Sequence, residues 1–304
     1  MITAFAGMVE AWMVVNWPEL ETWGAVTACW TTGLAFLAFL FALVLKRVAL
    51  TWVGRGLMGA GLLGALVTLV ARALVAQHAP WSNLWESMVT LLFWVLVFYF
   101  VTEIWYRPRH FGLIASPLAF LTIASASMLP AGFKGTAPLM PALQSYWIKI
   151  HVVIIISSYA AFTTAFAAAL GYFFFRWRAG SQAFVSAGGP EVSHATDFSA
   201  QMAFFDELTY RLILLGFPLL MVGIITGAMW ANSAWGTYWS WDPKETWSLI
   251  TWFVYAAYLH ARITHDLAGA KACGLAVLGF VAMLITYIGV NYLSSGLHSY
   301  GFIR

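Results

Sequence analysis

Residues 151–175 read HVVIIISSYAAFTTAFAAALGYFFF and contain no Asp, Glu, Lys or Arg. A helix of this length extends about 37 Å, more than the roughly 30 Å hydrocarbon core of a bilayer. The stretch therefore predicts a helix that crosses a membrane, and the pattern recurs along the chain. Apolar runs of similar character give eight predicted spans, at 24–45, 57–76, 86–105, 112–129, 149–175, 212–230, 246–264 and 272–292.

The composition agrees with this interpretation. Of the 304 residues, 62% are hydrophobic and 9% are charged, whereas an ordinary soluble domain has roughly 25% charged residues. Because lipid offers the backbone no hydrogen-bond partner, a spanning segment is either a helix or a strand of a closed barrel. Barrel strands would alternate polar and apolar residues, which these runs do not. We expect an all-α, polytopic integral membrane protein in which residues 1–304 form a single membrane domain.

Charge and cysteine content limit the classes of function. The formal net charge is +3, and the Lys and Arg residues form no cluster typical of a nucleic-acid surface. Cys29 and Cys273 lie in apolar runs, with no CxxC pair, and are interpreted as small core residues. Residues 1–22 contain Glu but no Lys or Arg, so the first span is expected to act as an uncleaved insertion signal.

The positive charges predict how the spans are oriented, because Lys and Arg are enriched in cytoplasmic loops. Both termini and the Trp-rich loop 231–246 are expected on the outer side. The connection 179–211 is expected on the inner side, with its amphipathic part, 198–210, along the membrane surface. Ten of the 15 positive residues fall in the inner loops, namely Lys46, Arg47, Arg55, Arg107, Arg109, Arg176, Arg178, Arg211, Arg262 and Lys271.

Six tryptophans fall between Trp230 and Trp252, a window in which the average composition of the chain predicts about one. One interpretation is an aromatic belt at the membrane surface. The other is a binding surface, since a flat apolar macrocycle needs large flat side chains to lie against. The concentration of rings on one short connection, WGTYWSWDPKETW at 235–247, favours the binding surface. Its candidate residues are Trp235, Tyr238, Trp239, Trp241 and Trp247.

Some residues of this segment have a structural explanation. Asp242, Pro243 and Glu245 stand at the N-cap, first and third positions of the seventh predicted span, and together predict a capping box. Lys244 lies at the same helix N-terminus, where it is either solvated or a partner for a carboxylate of the ligand. The first three residues are therefore assigned to helix initiation, and Lys244 remains a binding candidate.

The sequence resembles the CcsA (ResC) family of cytochrome c biogenesis proteins. The similarity rests on WGTYWSWDPKETW, on GAMWA at 227–231 and on YLHAR at 258–262. It includes HAPWSNLWES at 78–87 and GLHSYG at 296–301, and so extends over nearly the whole chain from about residue 55. The related CcmC and CcmF proteins share a Trp-rich loop, but the continuation DPKETW is typical of CcsA.

The resemblance implies a haem-handling subunit of a cytochrome c synthase, with cytochrome c haem lyase activity shared with a CcsB (ResB) partner. It would present haem b on the outer face of a bacterial plasma membrane, with a thylakoid as the alternative, after export from the cytoplasm. There the vinyl groups would be attached by thioether bonds to the CxxCH motif of apocytochrome c. A haem carrier without synthase activity is the alternative, and a quinone- or lipid-handling protein is a third interpretation. No catalytic residue is assigned.

Iron is commonly held by imidazole, so the histidines are the candidate metal ligands. His151 begins the fifth span at its outer end, and His298 follows the eighth span on the same side. Two histidines that flank the Trp-rich loop could ligate iron from opposite faces of a haem, and the family resemblance places its external ligands at these positions. Interfacial histidines solvated by water are the alternative.

His260 lies 13 residues after Trp247, about 20 Å deeper along a helix, and cannot serve the same iron. The resemblance makes it the ligand of a haem entering from inside, with the second ligand from the partner; a neutral histidine bonded to a neighbouring helix is the alternative. His265 would face about 140° away from His260 and be solvated. His78 is a haem contact or a loop cap. Arg72 is explained by snorkelling, with a propionate contact as the alternative.

Overall fold

The computed structural model describes residues 15–108, 110–136, 138–185 and 194–293, and these contain helices and no strand. His298, one of the two predicted outer ligands, lies outside the described residues. Eight α-helices of 15 residues or more follow one another in the described part of the chain. They are α1 (Trp17–Leu45), α2 (Val48–Ala76), α3 (Leu84–Tyr106), α4 (Phe111–Met128), α5 (Tyr146–Val185), α6 (His194–Trp235), α7 (Pro243–Thr264) and α8 (Ala270–Leu284).

Seven of these helices, all except α7, are long and apolar enough to cross a membrane. The prediction of an all-α, polytopic membrane protein is confirmed. The expected span 246–264 does form a helix, α7, but polar and charged residues at both of its ends lower its mean hydropathy. α8 continues through a π-helical segment, Ile285–Gly289, and a final turn, Val290–Leu293.

The long connections contain more helix than the sequence indicated. The predicted inner-surface loop 179–211 is largely helical, since α5 extends to Val185 and α6 begins at His194. Its amphipathic part, 198–210, belongs to α6 and continues directly into the next span. Phe205 and Leu208 of this part are buried in the core. At the other end, α6 extends to Trp235, which shortens the loop before α7 to residues 236–242.

Small residues allow the helices to approach closely. α5 packs mainly against α6, and α1 against α2. A Cβ atom on Gly24 would lie 2.8 Å from the carbonyl oxygen of Gly64, and one on Gly64 would lie 2.7 Å from that of Gly24. Such glycines are typical of membrane helix pairs, where close backbone packing replaces the hydrophobic driving force. α7 packs chiefly against α8 and α6, which leaves one of its faces exposed.

Candidate functional site

A cavity of about 1190 Å³, including its open mouth, lies at the end of the bundle that carries the Trp-rich loop. We call this end the Trp-rich end. α5 and α6, the beginnings of α3 and α7 and the π-helical segment form the walls. Apolar side chains dominate them, among them Leu84, Leu143, Ile148, Val152, Ile155, Ile156 and Ile224.

His151 projects from α5 into this cavity and is positioned by α6. Its Nδ1 lies 2.8 Å from the carbonyl oxygen of Gly223. Since a carbonyl only accepts, Nδ1 carries the proton, and the lone pair of the neutral ring is on Nε2. A Cβ on Gly227 would lie 2.8 Å from the His151 ring, so glycine at this position gives the imidazole its space against α6. A backbone carbonyl that accepts from one ring nitrogen in this way typically orients a metal-binding histidine.

Trp230 completes the surroundings of His151. The two rings are nearly parallel, at 10°, with centroids 6.1 Å apart. Trp230 is buried, and its Nε1 donates to the Ala142 carbonyl at 2.8 Å, which ties α6 to the connection that covers the cavity. Trp235 packs edge-on against Trp230 at 4.8 Å. His151, the predicted iron ligand, therefore packs against an aromatic cluster that extends toward the Trp-rich loop.

The rings of the Trp-rich loop divide into two groups. Tyr238 and Trp239 line the cavity. Trp235, Trp241 and Trp247 do not line it, although Trp241 stands edge-on to Trp239 at 5.7 Å. Trp241 is 68% exposed and has a φ of +60°, which is uncommon for a bulky residue. Of the five candidate rings, two therefore face the space that would hold a ligand.

The predicted capping box at the start of α7 is confirmed. Asp242 is the N-cap, Pro243 is the first helical residue and Glu245 closes the box from the third position. Asp242 Oδ1 accepts from the backbone N–H of Lys244 at 2.9 Å, and Glu245 Oε2 accepts from that of Asp242 at 3.2 Å. Glu245 also accepts from the backbone N–H of Ser240 at 2.8 Å. The box consequently fixes the Trp-rich loop as well as the helix.

Lys244 is not a solvated side chain. It is half-buried in the cavity wall, and its Nζ donates to Asn291 Oδ1 at 3.2 Å. Burial lowers the pKa of Lys244 to about 8, although the neighbouring Asp242 acts in the opposite direction. The ammonium group is therefore charged below about pH 8 and points into a mostly apolar space, where a carboxylate would be a favourable partner.

Three residues with hydroxyl groups, Ser87, Tyr159 and Tyr287, line the cavity. Ser87 Oγ lies 2.9 Å from the Tyr287 hydroxyl, and the ring of Tyr287 lies 5.6 Å from that of Tyr159. Tyr287 belongs to the π-helical segment, a distortion that often marks functional sites. Sequence reasoning missed Tyr159, Tyr287 and Asn291, because each is an ordinary residue of an apolar run until the fold brings the three helices together.

His78 lies in the connection before α3, and it does not line the cavity. Its Nδ1 donates to the Ala79 carbonyl at 2.9 Å, while its Nε2 is buried with no hydrogen-bond partner in the described part of the chain. Trp81, three residues later, does line the cavity. The structure thus places His78 outside the lining of the cavity.

The interpretation of Arg72 as a snorkelling residue is wrong. Its side chain is 5% exposed, and Nε donates to Glu86 at 2.8 Å, while NH1 donates to Glu21 at 3.0 Å. NH2 donates to the carbonyls of Lys134 and Gly135 at 2.6 and 2.9 Å. Arg72 therefore ties α1, α2 and α3 to the connection between α4 and α5, next to the cavity wall.

His260 lies near the opposite end of α7, far from the cavity, as its position in the sequence predicts. It is exposed, and its Nδ1 lies 3.4 Å from the Thr264 hydroxyl. The expectation that His265 faces away from it is wrong. α7 ends at Thr264, so helical spacing no longer applies, and the two imidazole rings lie 5.7 Å apart.

Residues 81–298 match the family described as Cytochrome C assembly protein. The protein named Cytochrome c biogenesis protein CcsA from Gloeobacter violaceus is 39% identical, over 90% of this chain and 92% of its own. The CcsA proteins of Synechocystis and Guillardia theta are 37% and 38% identical, over 94% and 90% of this chain and 99% and 94% of their own.

A solved structure named Cytochrome c Heme Lyase CcmF has the same fold, with a TM-score of 0.68 over 93% of this chain. The identity is 17%, and the chain spans about half of CcmF, 48% of its length. The family resemblance read from the sequence is confirmed by the family match and by the relatives. This chain therefore belongs to the CcsA family of cytochrome c assembly proteins.

Proposed function

We propose that the chain is the haem-handling subunit of a cytochrome c synthase and presents haem b in the cavity at the Trp-rich end. The observation that carries the proposal is His151, an imidazole whose Nδ1–H is held by Gly223 and whose ring lies in the cavity wall. The donor chemistry fits haem, because this tautomer has its lone pair on Nε2, the nitrogen that binds haem iron in such an arrangement.

The second axial ligand in this proposal is His298. It follows Asn291, a residue of the cavity wall, by seven positions. Seven residues of chain reach at most roughly 25 Å. His298 is thus tethered close enough to approach the iron from the face opposite His151.

The macrocycle would lie against Tyr238 and Trp239, with the aliphatic walls beneath it. Its propionates require cationic or hydrogen-bonding partners, and Lys244 with Asn291 supplies both on one side of the cavity. The carboxylate edge of haem would then lie at the start of α7, where the helix dipole also favours negative charge. Trp235, Trp241 and Trp247 act indirectly, by holding the loop in shape.

The chemistry proposed for this site is thioether formation. A cysteine S–H of the CxxCH motif adds across a vinyl group: sulfur bonds to one vinyl carbon, and the proton goes to the other. No oxidant is consumed, provided that the thiols are reduced. The residues of the chain contribute mainly by holding haem with its vinyl groups accessible, a gain from positioning. We infer that a CcsB-type membrane protein and apocytochrome c complete the complex.

His260 is proposed as an earlier ligand, for haem arriving at the opposite end of α7. Its exposure on a helix face of this chain suits an iron whose other ligand comes from the partner. The excess of Lys and Arg in the loops at that end indicates that it faces the cytoplasm. The Trp-rich end would then face outward, in a bacterial plasma membrane or a thylakoid.

Reconstitution tests the proposal against a carrier without synthase activity. The chain, its CcsB-type partner, ferrous haem and a CxxCH peptide should yield thioether-linked haem under reducing conditions, detected by mass spectrometry. A carrier would bind and release haem without forming the adduct. The variant His151→Ala/His298→Ala should lose both the haem of the cavity and the adduct, and full retention of both would show that the ligands are misassigned.

A further inference from the structure

The turn that follows α7 brings two histidine rings together at the end of the bundle opposite the Trp-rich loop. The backbone N–H of His265 donates to the Ala261 carbonyl at 3.1 Å, and the chain then reverses through Asp266, whose φ is +49°. The His265 ring folds back toward the helix and lies 5.7 Å from the His260 ring, edge to face. Both imidazoles are exposed.

A mostly buried ion pair fixes this turn to α6. Arg262 NH1 donates to Asp206 Oδ2 at 2.7 Å and to the Leu267 carbonyl at 3.0 Å. The backbone N–H of Gly269 donates to Asp206 Oδ1 at 3.1 Å. The side chains of Arg262 and Asp206 are only 13% and 10% exposed. Residues 265–269 are therefore anchored at both ends, and the proximity of the two imidazoles is part of the fold.

The surface around the pair suits a flat apolar ligand with a metal centre. Along the exposed face of α7, His260 is preceded by Ala257 and by Phe253, which is 57% exposed, and Ile263 is 64% exposed. The small side chain of Ala257 leaves room beside the His260 ring. His265 stands in the turn beyond the helix, where a ligand that approaches from the end of the bundle would meet it first.

Building on the proposed role of His260, we propose that His265 is the arrival ligand for the iron of haem at this site. Iron binds first to the imidazole of His265 and then passes to His260. In this exchange an Fe–N bond to His260 forms as the bond to His265 breaks, so no electron is transferred and no other reactant is needed. The Arg262–Asp206 pair acts as a positioning element, because it holds the turn in place.

Haem loading kinetics test this proposal. The complex of the full chain with its CcsB-type partner would carry His151→Ala and His298→Ala, so that absorbance reports only the site at His260. In nanodiscs mixed rapidly with ferrous haem, His265→Ala and His265→Gln should each slow association about tenfold and leave the final spectrum unchanged. Lys271→Ala, an exposed change in the adjacent helix, is the matched control and should load at the parental rate.

A second measurement uses His260→Ala. This variant should retain weak haem binding through His265, and the double variant His260→Ala/His265→Ala should lose it. Equal loading rates with and without His265, or equal binding by the single and double variants, would overturn the arrival role. If His260→Ala abolishes binding while His265→Ala loads normally, the proposed site at His260 stands and only the arrival ligand is wrong. If neither change affects loading, both assignments fail.

Discussion

The two ends of the bundle present histidine in opposite ways. His151 is half-buried, with its ring between α5 and α6 and its tautomer set by the Gly223 carbonyl. His260 is exposed on one face of α7, where the Thr264 hydroxyl and the His265 ring lie close to its imidazole. A haem in the cavity would be surrounded by several helices of this chain, whereas one at His260 would contact it on one side. The haem site proposed at the Trp-rich end is thus formed by this chain, whereas a haem at His260 would need the surface of a second protein.

The largest expected effect comes from Arg72→Met, which removes the charge partner of the fully buried Glu86. Breaking a buried ion pair costs about 3–5 kcal/mol, because the remaining charge is left uncompensated. Since Arg72 also holds the carbonyls of Lys134 and Gly135, the change should loosen the Trp-rich end selectively. Thermal unfolding in detergent should begin at a lower temperature, with haem lost from the cavity before it is lost from His260.

The matched control is Arg211→Met. Arg211 pairs with Glu207 at 2.7 Å, but both side chains are about half exposed, so its removal should destabilise the protein far less than Arg72→Met. Equal destabilisation by the two variants would show that the buried cluster has no special role in stabilising the Trp-rich end.

The second prediction compares the two histidines directly. His151→Gly should weaken haem binding in the cavity about 100-fold, or roughly 2.7 kcal/mol. Added imidazole should restore binding in the chain alone, because the space between α5 and α6 is preformed. His260→Gly should be rescued by imidazole only in the presence of the partner. Haem titrations followed by absorbance measure both effects.

If imidazole restored haem binding to His260→Gly in the chain alone, the proposed difference between the two ends would be contradicted. That result would show that one chain is enough to bind haem at His260. His78→Ala serves as the control for a histidine close to the cavity but outside its lining. It should leave haem affinity unchanged.

Much of the fold could be predicted because its causes are local. Apolar runs locate the helices, and the order of Asp242, Pro243 and Glu245 defines the start of α7. The cluster of tryptophans identifies the end of the bundle at which the cavity lies. Each of these signals is contained in a short stretch of sequence, and so it is readable before any packing is known.

The remaining features depend on contacts between distant segments. The sequence predicts snorkelling for Arg72, because its partners Glu86 and the Lys134 carbonyl are distant in sequence and are brought to it only by the fold. The relation of His265 to His260 was misjudged because helical geometry was applied beyond the last helical residue. The hydroxyl of Tyr287 reaches the cavity through a π-helical distortion. No short stretch of sequence contains these relations.

A third prediction tests whether the preformed space around His151 matters. In Gly227→Ala the added Cβ would lie 2.8 Å from the imidazole, so the ring must move. Changes to the groups that orient a metal-binding side chain typically cost 10–100-fold in metal affinity. We expect haem affinity to fall about tenfold here, with little loss of stability. Gly274→Ala in α8 is the control, because its Cβ would meet no atom within 4 Å. If both variants bind haem equally, the ring is not held as proposed.

The smallest expected effect concerns the charge of Lys244. Its pKa of about 8 means that the ammonium loses its proton as the pH rises through this value. Binding of a haem propionate favours the charged form, so affinity should be highest below pH 8 and fall about fivefold toward pH 9.5, a change of roughly 1 kcal/mol. Ferrous haem avoids competition from hydroxide on iron. In Lys244→Gln the affinity should be lower and flat across this range, whereas haem at His260 should show no such dependence in either protein. A pH dependence that persists in Lys244→Gln would assign it to another group and remove Lys244 from the propionate site.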